Sequence, residues 1–319
     1  MIPVVLTGMV SAGMLWVGVR VKKTALVDVG LLLGLWLVWG YSWVASKLGL
    51  AYASPLLMSE YRLTLAAIAL GALLLWRGNT LRPTPFWPTF WIGLTQTAGF
   101  TLLSSLALLN TSTGKVTILC YTMPFWTLLL ARLFLSERLR RVQWAAVLLA
   151  LGGLISLLEP WAQSSSWLSS LLAMAAGISW AISAILVKRL QTSRKVDTLS
   201  LTFWQLLYGL VPLYLVSACI TQPAVNWQPT FWLILLFNGC IAAGLGWLVW
   251  LHLLSRLSAG TAGLNMLAIP AVAMLCSWLQ LGDIPSLGEA VGMGLVAMAL
   301  ALLAAMNLHQ ARQSLVVSG

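Results

Sequence analysis

Few ionisable side chains fall inside the long apolar runs of this chain, and each is a candidate for chemistry. Glu60 and Arg62 stand in one such run, four or five residues from its outer end. A charge at the centre of a membrane helix costs about 2.5–3.5 kcal/mol on insertion scales, so each needs a partner, a water-filled site or a reach to the surface. Positions two apart face different sides of a helix, so the two are not expected to pair with each other. Two readings are open: both snorkel toward the surface, or Glu60 takes up a proton while Arg62 holds a substrate carboxylate. Lys47 ends one run and Lys115 begins another on the same side. They read either as interfacial snorkels or as a basic vestibule for an anionic or zwitterionic group. Tyr121 and Phe125, four apart around Pro124, place aromatic surface where a proline interrupts a helix.

Hydrolytic chemistry lacks its parts. His252 and His309 form no HExxH pair, no GxSG stands with a buried histidine base, and Asp28, Asp197 and Asp283 lie at run edges rather than as a dyad. No phosphate-binding loop is present either. An enzyme, a metal site, a cofactor and an ATP-driven pump are therefore not expected. Cys120, Cys219, Cys240 and Cys276 all lie within apolar runs without CxxC spacing and read as small packing residues.

The elements that must hold these groups follow from composition. Hydrophobic residues make up 60% of the chain and charged ones 8%, with a mean hydropathy of +0.93. Soluble domains carry about 25% charged residues, so lipid is the main solvent here. A crossing of ~30 Å of hydrocarbon takes about 20 apolar residues. Ten such runs are placed near residues 26–46, 56–76, 86–107, 115–135, 142–158, 167–187, 198–219, 230–251, 261–281 and 285–305. Backbone amides without water must bond within their own segment, which makes helices.

The net charge of +11 is topological. With residues 77–85 inside, the inner segments hold 14 of the Lys and Arg residues and the outer ones only Lys47 and Lys115. That bias sets orientation and puts the C-terminus in the cytoplasm. No basic face with interleaved aromatics exists outside the membrane, so nucleic acid is excluded as a partner.

The chain is one unit written twice. Trp39, Ser42 and Lys47 recur 141 residues later as Trp180, Ser183 and Lys188, and Phe90-Trp91 recurs as Phe231-Trp232. Further on the offset is 146: Ser112, Gly114 and Pro124 match Ser258, Gly260 and Pro270, and Glu137 matches Asp283. The slip of five is assigned to the stretch between the third and fourth runs of the second half. Five runs is an odd number, so two copies in series sit with opposite orientation, as in many secondary transporters. The chain divides into residues 1–25 as an N-terminal hydrophobic extension, 26–158 and 167–305 as the repeats, 159–166 as an outer linker and 306–319 as a cytoplasmic tail. Residues 2–19 lack a basic n-region and are a poor secretory signal. They read either as an added helix or as translation from an upstream start. Pro124 and Pro270 are expected to bend the fourth and ninth helices, either leaving freed carbonyls that face a central space or simply shaping helix packing.

The run GKVTILCYTMPFWTLLLARLFLSERL (114–139) resembles the EamA repeat of the drug/metabolite transporter superfamily, and SAGTAGLNMLAIPAVAMLCSWLQLGD (258–283) is a weaker version. LVWGYSWVASK, with EYR in the next run, is similar to the same family, and the resemblance covers about residues 26–305. It implies an all-α integral membrane protein of ten core transmembrane helices in two inverted five-helix repeats, with alternating access to a central cavity. It also implies export or exchange of an amino acid or related small metabolite across a bacterial inner membrane, with proton coupling as an option. The fourth and ninth helices would border the cavity, with the first, third, sixth and eighth completing it. On those helices Trp43, Gln96, Tyr121, Phe125, Trp180, Asn238 and Asn265 are the candidates for substrate contact. Each is also open to a plain packing role. Glu137 and Asp283 are expected to cap or pair near the surface. A non-transporting scaffold or sensor is the rival function, ahead of a membrane-embedded enzyme.

Overall fold

The computed structural model describes residues 23–78, 83–134, 141–158, 167–256, 266 and 268–317. Residues 1–22, the linker 159–166, Glu137 and Asn265 lie outside the described residues. The ordered elements are all helical among the described residues. They are α1 (Lys23–Gly49), α2 (Pro55–Trp76), α3 (86–107), α4 (Thr113–Phe134), α5 (Arg141–Leu158), α6 (Trp167–Ser193), α7 (Thr198–Cys219), α8 (Pro229–Arg256), α9 (Ala268–Leu281) and α10 (Leu287–Val317). Six of them (most of α1, then α2, α4, α6, α7 and α8) are long and apolar enough to cross a membrane.

Local chemistry sets the ends. Ser54, Ser112 and Asp197 each accept a backbone N–H three residues on, which starts α2, α4 and α7. Pro55 follows the first cap at the position where its missing N–H costs nothing. The last helix meets no proline or glycine after Gly294, and it runs on through residues 306–317 of the expected tail.

Two helices change winding in the middle. In α3, Gly93–Gly99 form π-helical turns, and in α8 Phe237–Leu245 do the same. Such turns are rare and frequently mark functional sites. They also relocate the slip of five residues. Phe90-Trp91 and Phe231-Trp232 keep the offset of 141 at the starts of these helices. At their ends Lys47 Nζ donates to the Leu108 carbonyl and Lys188 Nζ to that of Leu254 (3.3 Å), an offset of 146. The extra residues therefore lie within α8, whose π segment has nine residues against seven in α3, and not between the eighth and ninth runs. A π turn absorbs an added residue without breaking the rod.

Packing pairs the halves crosswise. α1 packs on α9 as α6 does on α4, and α2 packs on α8 as α7 does on α3. α2 also lies along α7, and α5 along α10. Glycines allow the closest crossings. A Cβ at Gly209 of α7 would meet Thr97 Cβ at 2.4 Å and the Gly93 carbonyl at 2.6 Å, and one at Gly239 of α8 would meet the Arg62 carbonyl at 2.7 Å. Each π segment thus lies backbone to backbone against the second helix of the other half.

Of the two readings of the prolines, the packing one fits Pro124. Tyr121 and Thr122 leave the helix, and Pro124 sits in the first turn of the restarted segment Met123–Phe134. Pro270 likewise falls in the first turn of α9. The Cys120 carbonyl, deprived of an N–H by Pro124, faces α6 rather than a central space: a Cβ on Gly177 would lie 2.7 Å from it. The helix is interrupted so that α6 can seat against it.

Candidate functional site

Between α1, α2, α3, α4, α6 and α8 lies a central cavity. Its total empty volume is about 560 Å³, but only about 40 Å³ admits the centre of a water molecule. That is room for a few waters, since each needs about 10–15 Å³ by this measure. Anything larger enters only if the wall side chains move.

One wall is aromatic. Trp180 is its hub, with ring centroids 5.6 Å from Trp39, 5.0 Å from Phe100, 5.4 Å from Tyr121 and 5.5 Å from Trp250. Trp43 meets Phe100 and Tyr121 edge to face, and its indole N–H bonds the Tyr121 hydroxyl. Trp39 Nε1 donates to the Ala242 carbonyl at 2.8 Å, against the π segment of α8. Gly246 makes room for that ring, for a Cβ there would sit 2.3 Å from Trp39 Nε1.

The other wall is polar and built from two serine–amide pairs. Ser183 on α6 donates to Gln96 Oε1 on α3 at 3.1 Å, and Ser46 on α1 donates to Asn238 Oδ1 on α8 at 3.4 Å. Arg62 Nη1 donates to Ser46 Oγ at 3.1 Å. Ser42, Ser104 and Ser105 complete this side. Gln96 and Asn238 lie within the π segments, whose wide turns carry their amides to the cavity.

The donors exceed the acceptors. Gln96 Nε2, Asn238 Nδ2, Trp180 Nε1 and Arg62 Nε are buried without a hydrogen-bond partner among the described residues. A buried unsatisfied group costs about 1–3 kcal/mol. Arg62 is the one charged residue lining the cavity among the described residues, and no carboxylate lines it. Such a wall recognises an acceptor-rich or anionic group, while the aromatic wall accepts an apolar body or a cation over ring faces.

The candidates divide accordingly. Trp43, Gln96, Tyr121, Trp180, Asn238 and Arg62 line one cavity. Phe125 does not. The interruption at Tyr121–Thr122 breaks the four-residue spacing, and Phe125 packs instead with Thr122, Trp126, Val147 and Ala150 between α4 and α5. Glu60 is buried off the cavity beside Ser217 of α7. It faces away from Arg62, as their spacing predicts. Lys115 is buried in the first turn of α4 without lining the cavity. Lys47 also lies off it. Its ammonium ties the end of α1 to the carbonyls of Leu108 and Thr111, the latter at 3.1 Å. Asp283 accepts from the Thr113 N–H at 3.3 Å and from Ser277 Oγ at 2.6 Å, so it caps α4 from beyond α9.

Trp39, Ser42, Ser46, Phe100 and Trp247 were not singled out as site residues by sequence reasoning. The repeat carried a signal for two of them, because Trp39 and Ser42 are the equivalents of Trp180 and Ser183.

Comparison with known proteins agrees with this architecture. The profile of the EamA-like transporter family matches residues 28–158 and 167–305. A Bacillus subtilis protein named "Uncharacterized transporter YoaV" is 27% identical over 253 residues, covering 77% of this chain and 86% of its own length. A Salmonella typhimurium protein named "Probable amino-acid metabolite efflux pump" is 30% identical over 257 residues, covering 77% and 84%. One crystal structure superposes with a TM-score of 0.68 at 19% identity, over 88% of this chain and 97% of that one, a likeness of fold.

Proposed function

The chain belongs to the EamA-like transporter family, and on that premise we propose that it is a secondary transporter exporting or exchanging an amino acid or related carboxylate-bearing metabolite. The carrying observation is the cavity wall, where Arg62 and the amide nitrogens of Gln96 and Asn238, unpartnered among the described residues, share the lining with aromatic rings centred on Trp180. A substrate carboxylate takes the Arg62 side, and its apolar or ammonium end lies against the rings. The name of the Salmonella typhimurium relative supports an amino-acid class of cargo and outward direction.

The mechanism is alternating access between two inverted five-helix repeats, α1–α5 and α6–α10, with ten membrane spans and a cytoplasmic C-terminus in a bacterial inner membrane. Crosswise packing of equivalent helices supports this layout. The lysine ties support it too. The start of α8 lies beside Gly49, near Lys47, while its far end receives Lys188, so the two ties stand at opposite ends of one long helix. Opening one end while keeping the other closed gives each side access in turn. Glu60, buried beside Ser217 at the α2–α7 contact, is the group that would couple transport to protons.

Purified protein in sealed liposomes decides this. Counterflow of a labelled amino acid, saturable and dependent on Arg62, is the expected result. An imposed pH gradient raises flux in the wild type and has no effect in Glu60→Gln. No flux of any amino acid or related carboxylate would sink the transport reading and favour a scaffold or sensor.

A further inference from the structure

Outside the central cavity, α2 and α7 enclose a second recess that faces the membrane. It is a shallow apolar trough running from Thr64 and Tyr214 to Leu75 and Phe203. The pairing is antiparallel: Thr64 Oγ1 bonds Tyr214 Oη at 2.7 Å, and Gly71 lies against Phe203.

Length identifies what fits it. Eleven residues separate Thr64 from Leu75, about 16 Å at 1.5 Å per residue. One leaflet of hydrocarbon is about 15 Å, half of ~30 Å. The trough therefore ends near mid-membrane, where the Thr64–Tyr214 bond closes it. A helix from a second copy would run the full thickness and has no bed beyond that point. A single acyl chain has one.

Charge identifies the headgroup. The antiparallel register brings the end of α2 level with the start of α7. At that end Arg77, Arg194 and Lys195 are exposed. Asp197, the acid beside them, is engaged as the cap of α7, accepting the Ser200 N–H at 2.8 Å. The mouth of the trough is thus basic.

We propose that this trough is a binding site for an anionic phospholipid of the leaflet on the Arg77 side, with one acyl chain between α2 and α7 and the phosphate on Arg77, Arg194 and Lys195. Because α2 and α7 also carry Arg62 to the cavity and Ser217 to Glu60, the lipid would brace the helices that frame transport. The site depends only on the chain being a membrane protein, so it stands or falls separately from the transport reading.

Native mass spectrometry of the detergent-purified full chain with added phosphatidylglycerol or phosphatidylcholine of identical acyl chains tests it. Phosphatidylglycerol is expected to be retained preferentially, and preference should fall about five-fold for each charge removed in Arg77→Gln, Arg194→Gln and Lys195→Gln. Ala72→Phe, which fills the trough, should lower retention of both lipids. Equal retention of the two lipids by the wild type would overturn the proposal, as would a dimer that Ala72→Phe dissolves. Should the variants fail to fold, a diazirine-tailed phosphatidylglycerol cross-linked to the wild type must mark residues 64–75 or 203–215. Adducts confined to other segments would reject the site.

Discussion

Trp39 and Trp180, equivalent positions of the two repeats, meet edge to face with ring centroids 5.6 Å apart. Equivalent residues touch only where the relation between halves passes between them, so this contact marks the middle of the molecule. Trp180→Ala removes the hub of the aromatic wall. Burial of such a ring is worth about 3–5 kcal/mol, and a marked drop in melting temperature with loss of counterflow is expected. Trp39→Phe keeps a ring but loses the bond to Ala242, about 1 kcal/mol, and should retain most transport.

The carboxylate role proposed for Arg62 separates recognition of charge from recognition of shape. Arg62→Gln should raise KM for a carboxylate substrate about 10–100-fold, the range for a lost charged hydrogen bond of about 1.5–3 kcal/mol. The amide of the same substrate should show little change. Equal weakening of both in liposome uptake would remove Arg62 from the carboxylate role.

Glycines can be ranked by the space behind them. Gly209→Ala drives a methyl into Thr97 and the Gly93 carbonyl, and a cost of about 1–3 kcal/mol is expected. At Gly152 a methyl would meet nothing within 4 Å. Gly152→Ala should therefore be neutral or raise stability by up to about 1 kcal/mol through helix propensity. Melting curves of the two variants in one detergent check the order.

The lysine ties can be cut singly. Lys47→Met frees the end of α1 from the Leu108 and Thr111 carbonyls, and Lys188→Met frees α6 from Leu254. Reaction of a Ser46→Cys reporter with a membrane-impermeant thiol reagent should rise from the Lys47 side in the first variant and fall from it in the second. Identical changes in both would argue against opposed ends.

Much of this was legible in the residues and some was not. Long apolar runs and the recurrence of Trp39 at Trp180 are signals carried by the sequence itself, and they mark helices and repeats directly. Trp43, Gln96, Tyr121, Trp180 and Asn238 meet in one cavity because their helices do. Phe125 was misplaced because a face read from 3.6-residue periodicity holds only along an unbroken helix, and α4 breaks at Tyr121. The π turns that carry Gln96 and Asn238 have no simple sequence signature. They form where Gly93 and Gly239 let another backbone come close, which is a tertiary event.

The paired ties at Leu108 and Leu254 have an energetic meaning of their own. Each joins a lysine ammonium to backbone carbonyl groups, those of Leu108 and Thr111 for Lys47 and that of Leu254 for Lys188. Trading one broken tie for the other exchanges bonds alike in kind. In the alternating access proposed above, the two open forms then differ little in the kind of bond each gives up, and a modest difference in ligand affinity would be enough to shift between them.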